Sequence, residues 1–115
     1  MEKWYDKYKK KSGDRRSIET AMSMLRHGVL RESVRDGFVL MDVQGECLFI
    51  YGVCGNGEVL SRWITDTAKE NKCKFVYARA AKGGKLLHRY LKMCTKFKPT
   101  IIRNGEGIMW EVDYG

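Results

Sequence analysis

Three closely spaced glycines are the residues of this sequence best suited to hold a ligand. Gly52, Gly55 and Gly57 lie between a run of β-forming residues and an amphipathic run. Glycine lets the main chain approach a ligand closely, and the N–H groups of a helix's first turn attract an anion such as a pyrophosphate. A Rossmann site is excluded because no second βαβ unit follows, and a Walker site because no Gly-Lys-Ser/Thr ending is present. A structural turn without a ligand stays open as the alternative.

Basic residues are concentrated in two segments. The net charge is +8; residues 1–16 hold seven basic side chains against three acidic ones, and residues 82–103 hold seven and no acid. A field of this sign favours anionic partners, which include nucleic acid, a phosphorylated cofactor and an acidic protein surface. A solvated basic face with no partner explains the same charge.

The cysteines are predicted to be buried free thiols. Their separations lack the paired spacing of zinc ligands, and the sequence has only two histidines, so no metal site is expected. The longest apolar stretches, Phe38 to Met41 and Cys47 to Val53, are shorter than the roughly 18 residues that a membrane helix needs. We therefore expect a cytoplasmic protein without membrane contact. The four cysteines are Cys47, Cys54, Cys73 and Cys94.

The 115 residues are enough for one packed core, so one domain is expected over residues 17–115, with residues 1–16 as a basic aromatic arm or a docked helix. Apolar spacing predicts a helix from Ser17 to about His27, stopped by Gly28 and resuming from Leu30 to Val34. Alternation and turn residues predict a hairpin, a helix, a buried strand, a second helix and a last hairpin. The first hairpin joins Phe38–Val43 and Glu46–Tyr51, the first of these helices runs from Val59 to Glu70, and the buried strand is Cys73–Ala80. The second helix runs from Lys82 to Pro99, and the last hairpin joins Thr100–Arg103 and Ile108–Tyr114.

This order resembles that of the GCN5-related N-acetyltransferases. In that family a strand leads into an (Arg/Gln)-x-x-Gly-x-(Gly/Ala) loop, followed by a helix with paired aliphatics, a strand, a helix carrying a tyrosine and a last hairpin. The matching segments span about Phe38 to Tyr114. They are Cys47-Leu48-Phe49-Ile50-Tyr51, Gly55-Asn56-Gly57, Val59-Leu60, Phe75-Val76-Tyr77 and Arg89-Tyr90-Leu91-Lys92. The resemblance implies an α+β fold with a central, mostly antiparallel mixed sheet and flanking helices.

The resemblance also implies binding of acetyl-coenzyme A and transfer of its acetyl group to an amine. The acetyl carbonyl would meet a main-chain N–H near Tyr51, and Lys82 or Lys85 would meet the ribose phosphate. The implied base is Glu46 and the implied acid is Tyr90. The pyrophosphate would lie on the glycine loop. The binding residues implied for this loop and for the end of the strand before it are Tyr51, Val53, Cys54, Gly55, Asn56, Gly57 and Glu58.

Departures from the family pattern favour a second interpretation. Gly52 replaces the Arg or Gln that usually opens the loop, and only one hairpin is predicted before the loop, so the N-terminal half looks curtailed. A protein can keep this fold without the reaction. The alternative is a catalytically inactive interaction module, such as a phage virion protein, an inhibitor or a nucleic-acid binder acting through its basic surface.

Overall fold

The fold is α+β, and the described residues form three helices and one six-stranded mixed sheet. The computed structural model describes residues 2–12, 16–79, 98–101, 107–112 and 114. No helix in these ranges is long and apolar enough to cross a membrane. In chain order the elements are α1 (Glu2–Ser12), α2 (Ile18–Ser23), β1 (Gly28–Ser33), β2 (Gly37–Gln44), β3 (Cys47–Gly55), α3 (Gly57–Glu70), β4 (Phe75–Arg79), β5 (Lys98–Ile101) and β6 (Gly107–Glu111).

The sheet has the strand order β1-β2-β3-β4-β6-β5. Strands β1, β2 and β3 form an antiparallel meander, and β3 then pairs in parallel with β4. A parallel pair needs a crossover, which α3 supplies. Strand β6 lies antiparallel between β4 and β5. The mixed sheet with flanking helices is therefore confirmed at the level of α+β architecture.

Several predicted elements are confirmed. The hairpin of β2 and β3, the helix α3, the strand β4 and the final antiparallel pair of β5 and β6 are all present. The bounds differ at β3, which runs over Cys47–Gly55 and so includes residues that were predicted to form the glycine loop. Gly45 supplies the positive φ, +59°, in the turn between β2 and β3. Residues 82–97 of the predicted second helix lie outside the described residues, and Lys98 and Pro99, at its predicted end, belong to β5 instead.

The prediction of a helix from Leu30 to Val34 was wrong. Residues Gly28–Ser33 form β1, which pairs with β2 from Gly28↔Asp42 to Ser33↔Gly37. The preceding helix α2 ends at Ser23 rather than near His27. Two hairpins therefore precede the glycine loop, not one. The segment from Leu30 to Val34 is too short for its apolar residues to distinguish a helix from a strand. Hydrogen bonding to the neighbouring strand β2 makes it a strand.

One face of the sheet packs against α3 and forms an aliphatic core. The side chains of Ile64 and Ala68 on α3 are fully buried against this face. Trp110 of β6 closes one side of the core and is 1% exposed. The core residues on the sheet are Val39, Met41, Leu48, Ile50, Val76, Ala78 and Trp110, and Val112 follows directly after β6.

The opposite face is covered by α1 and carries aromatic rings. Phe38 of β2 is fully buried and meets the rings of Tyr5 and Tyr8 edge to face, at centroid distances of 4.8 Å and 5.4 Å. The indole N–H of Trp4 donates to the Val34 carbonyl at 2.7 Å. Residues 2–12 are thus a helix that is docked on the sheet.

Candidate functional site

The glycine loop is held by the turn between β1 and β2. Gly55, the last residue of β3, has φ +140°, and a Cβ on it would overlap the Asp36 carbonyl oxygen. Gly37, with φ +115°, is confined in the same way by the Cys54 carbonyl. The next amide, Asn56 N–H, donates to the Asp36 carbonyl at 2.6 Å. The two glycines therefore let two main-chain segments meet, which is a structural reason for glycine at both positions.

Asn56 caps α3 and occupies the donors that a pyrophosphate would use. Its side-chain oxygen accepts from Glu58 N–H at 3.1 Å and from Val59 N–H at 3.5 Å. The predicted binding residues of the loop, Cys54 to Glu58, are brought together at the start of α3. An anion bound there would replace the Asn56 side chain as the acceptor.

Tyr51 lies at an irregularity of β3. The pairing of β2 with β3 passes from Leu40↔Gly52 to Met41↔Ile50, so Tyr51 is the extra residue of a β-bulge. Among the described residues, which stop at Arg79 on β4, the last parallel pair of β3 with β4 is Ile50↔Ala78. Tyr51 is therefore outside both strand registers.

Groups from α1 and the segment after it surround Tyr51. The Tyr8 hydroxyl donates to the Tyr51 carbonyl at 3.4 Å, and the Arg16 guanidinium lies 5.3 Å from the Tyr51 ring centroid. The Tyr8 ring packs on Gly52, where a Cβ would be 3.0 Å from it. The Tyr51 hydroxyl is buried and has no hydrogen-bond partner in the described ranges.

A small cavity lies beneath α1 at this point, with room for about one water molecule. Tyr5 lines it and donates its hydroxyl proton to the Glu32 carboxylate. Burial, and then the hydrogen bond to Glu32, raise the pKa of Tyr5 well above its ordinary value, so the hydroxyl keeps its proton. The other lining residues are Tyr8, Lys9, Arg16, Ile18, Ala21, Phe38, Leu40, Tyr51 and Gly52.

The structure does not bring Glu46, the expected base, to the loop. Glu46 is exposed in the turn before β3, where its carboxylate lies 3.2 Å from Lys74 Nζ. The nine residues of β3 separate it from the loop. At about 3.3 Å per residue, that strand is roughly 30 Å long. Glu46 and a ligand on the glycine loop therefore belong to opposite ends of the sheet.

Of the other predicted site residues, some lie outside the described residues and others are packed within the sheet. Lys82, Lys85 and Tyr90 lie outside the described residues. Val53 packs against the aliphatic core, whereas Cys54 is paired with Phe38 on the adjoining strand.

Three of the four cysteines are in the described ranges, and all three are free thiols: Cys47, Cys54 and Cys73. Burial, with a smaller effect of Cys73, raises the pKa of Cys47 to about 11, which keeps it an unreactive thiol at neutral pH. No group of three or more potential metal ligands occurs in the described part of the chain.

Sequence reasoning missed the contribution of α1 to this site. Tyr8 and Arg16 were noted only as part of an aromatic, basic segment, and their position over Tyr51 is a long-range contact. The spacing of Trp4, Tyr5 and Tyr8 along one side of a helix was the available signal, since such a stripe must pack against something.

Comparison of the chain with protein-family models, curated proteins and solved structures gave no match.

Proposed function

We propose that this protein binds acetyl-coenzyme A and is an N-acetyltransferase-like protein that acts on an amine. The observation that carries the proposal is the bulge at Tyr51, one residue beyond the last described parallel pair of β3 with β4. A bulge interrupts the regular ladder and leaves the main-chain groups of the extra residue outside the strand pairing. The glycine loop and α3 follow at the same end of β3.

The residues of this end fit the parts of the cofactor in order. The main chain from Cys54 to Glu58 would hold the pyrophosphate once the Asn56 side chain yields its two amides. The pantetheine arm would lie along β3 beyond Ile50, and the main-chain N–H of Tyr51 would polarise the acetyl carbonyl. Bound there, the cofactor supplies an activated acyl group. Lys82 and Lys85 stay candidates for the ribose phosphate.

Of the two proton-transfer residues that the resemblance implies, only the acid is kept in this proposal. Glu46 is left out, because it lies at the other end of β3. Tyr90 stays the candidate acid for the departing thiolate. Tyr8 is the described tyrosine whose hydroxyl contacts the Tyr51 carbonyl, and it would position that part of the main chain.

Calorimetric titration with acetyl-coenzyme A and with desulfo-coenzyme A tests this proposal. We expect saturable one-to-one binding at both about 0.05 M and about 0.3 M salt, since a shaped site is screened less than a diffuse basic surface. Absence of saturable binding at either salt concentration would refute cofactor binding. Acetyl transfer to a panel of amines is then measured separately, because binding without transfer fits the inactive alternative.

Substitution of Asn56 tests the location of the pyrophosphate. Asn56→Asp keeps the helix cap but adds a negative charge, whereas Asn56→Ser keeps the cap without the charge. We expect Asn56→Asp to weaken cofactor binding at least roughly tenfold and Asn56→Ser to change it little. Equal affinity in both variants would place the cofactor elsewhere.

The surface of α1 favours a second candidate, an inactive module that binds an anionic macromolecule. Lys3, Lys7 and Lys10 are exposed on this docked helix. Fluorescence anisotropy with a labelled oligonucleotide would show tight binding that falls steeply with salt, and replacement of the three lysines by glutamine would reduce it. Oligonucleotide affinity that is unchanged by the triple replacement would exclude this surface.

A further inference from the structure

Helix α1 is held on the sheet by half-buried side chains. Among its described side chains, at residues 2–10, none is fully buried. Trp4, Tyr5 and Tyr8 are half-buried, and each donates a hydrogen bond to β1, to β3 or to the residue that follows β1. The bond from Tyr8 to the Tyr51 carbonyl, at 3.4 Å, is longer than a usual hydroxyl hydrogen bond. Contacts of this kind open locally while the rest of a fold stays intact.

The stability of α1 as a helix depends on this docking. It has 11 residues, and an isolated helix shorter than about 12 residues is marginal in water. Docking must also offset the conformational entropy that these residues lose when they become ordered. Lys3 and Lys7, both exposed and one turn apart, add a repulsion between like charges. We therefore expect the free energy for lifting α1 to be smaller than the free energy for unfolding the whole chain.

The sheet beneath α1 is buried much more deeply than α1 itself. Phe38 and Leu40 are fully buried on the face that α1 covers. The cavity beside them has room for about one water molecule. Its described lining residues therefore leave no space for a larger ligand while α1 is docked.

The docked helix closes one side of the main chain at Tyr51. The Tyr8 ring lies on Gly52, where a Cβ would be 3.0 Å from it. On the opposite side, Ile50 belongs to the aliphatic core under α3 and Val53 packs against that core. An amine that reaches an acetyl group held at the Tyr51 main chain must therefore come from the α1 side, and α1 must move to admit it.

We propose that α1 is a lid over Tyr51, which lifts from Phe38 and Gly52 to admit an amine and covers the site when no acceptor is present. The docked lid keeps bulk water away from the Tyr51 main chain, which limits hydrolysis of a bound thioester. The role of the lid in acetyl transfer rests on the proposed function, whereas the opening of the lid does not.

Thiol labelling at two neighbouring residues of β2 tests the lid. Leu40 lies under α1 and Met41 lies in the core under α3, and they are 1% and 0% exposed. Lifting of α1 exposes the thiol of Leu40→Cys but leaves that of Met41→Cys covered. Labelling with iodoacetamide is followed by peptide mass spectrometry, which separates the new thiol from the four natural cysteines.

Urea denaturation of each variant gives the labelling rate that global unfolding alone allows. We expect Leu40→Cys to be labelled at least roughly tenfold faster than this limit, and Met41→Cys at the limit. Labelling of Leu40→Cys at the limit set by global unfolding would overturn the proposal. Labelling of both variants above the limit by the same factor would also overturn it, because both faces of the sheet would then open together.

A second pair of variants keeps the test decisive if Leu40→Cys does not fold. Ala21 lines the cavity under α1, Ala68 lies in the core under α3, and both are buried. Each change from alanine to cysteine adds a single sulfur atom. We expect labelling at least roughly tenfold above the unfolding limit in Ala21→Cys and labelling at the limit in Ala68→Cys.

The labelling experiment contains no coenzyme, so its result is separate from the test of the proposed function. Fast labelling of Leu40→Cys together with no binding of acetyl-coenzyme A by the wild-type protein would support the lid and refute the proposed function. Binding of acetyl-coenzyme A together with labelling at the unfolding limit would refute the lid alone.

Discussion

The two faces of the central sheet are built for different purposes. The face under α3 is aliphatic, and the buried hydroxyls of Ser61 and Thr65 on this helix donate to carbonyls of the helix itself. The face under α1 carries tyrosine hydroxyls and the Arg16 guanidinium, and the buried Tyr51 hydroxyl has no hydrogen-bond partner among the described residues. The Thr67 hydroxyl on α3 lacks a partner in the same residues. The first face stabilises the fold, and the second holds the groups that a ligand can use.

The largest expected effect concerns the aliphatic face. Ile64→Ala should lower the free energy of unfolding by about 2–5 kcal/mol, since it leaves a cavity in a fully buried site. Urea denaturation measures this loss. Val34→Ala, at an exposed position, is the control and should change the free energy by no more than about 0.5 kcal/mol. Equal losses in the two variants would mean that this face is not the main core.

The second prediction concerns the loop by which the chain passes from the sheet to α3. Gly55→Ala should lower the free energy of unfolding by about 2–4 kcal/mol, because its φ is strained for alanine and its Cβ meets main chain. Gly45→Ala also has positive φ but meets nothing within 4 Å, so about 1 kcal/mol is expected. Thermal unfolding of both variants isolates the contact. Equal losses of stability in the two variants would show that the positive φ alone, and not the contact of the added Cβ with main chain, causes the loss.

The third prediction has the opposite sign and sharpens the contrast between the faces. Tyr51→Phe removes a buried hydroxyl with no described partner, so stability should rise by about 1 kcal/mol. Tyr114→Phe is the control, because it removes a hydroxyl that donates to the Cys73 carbonyl at 2.5 Å and should lower stability. A loss of stability in Tyr51→Phe would show that the hydroxyl has a partner in the folded protein.

The smallest expected effect is on pH dependence. Burial raises the pKa of Cys47 to about 11, so the unfolded chain, with a pKa near 8.5, loses this proton first. Stability is therefore full below about pH 8.5 and falls as pH rises towards 11. Cys47→Ser should show a shallower alkaline loss in denaturant titrations. If the free energies of unfolding of the wild-type protein and of Cys47→Ser fell equally with rising pH, burial of this thiol would be contradicted.

Sequence patterns predicted the parts of the molecule that depend on local periodicity. The β2–β3 hairpin, α3 and β4 follow from alternation, helical spacing and Gly45. Strand β1 was missed because Val29 and Leu30 fit either period, and only pairing with β2 decides. Glu46 was predicted to begin the second strand of the hairpin, but it lies in the turn before β3, and the length of β3 separates it from the loop.

Long-range contacts account for the rest of the candidate site. Nothing in the local pattern shows that Asp36 meets Gly55, or that Tyr8 packs on Gly52. The glycine loop was expected to serve a ligand, and the structure adds that its glycines also serve the fold. Both roles act on the same residues, so variants of this loop need a stability measurement beside every binding measurement.

The contact between Asp36 and Asn56 has a consequence for the order of folding. Asn56 caps α3 while its own amide is held by the Asp36 carbonyl, which lies across the whole β2–β3 hairpin. The start of α3 is thus set by a hairpin that must already be closed. We expect the first turn of α3 to acquire hydrogen-exchange protection after β2 and β3 in refolding, although the helix is the more local structure.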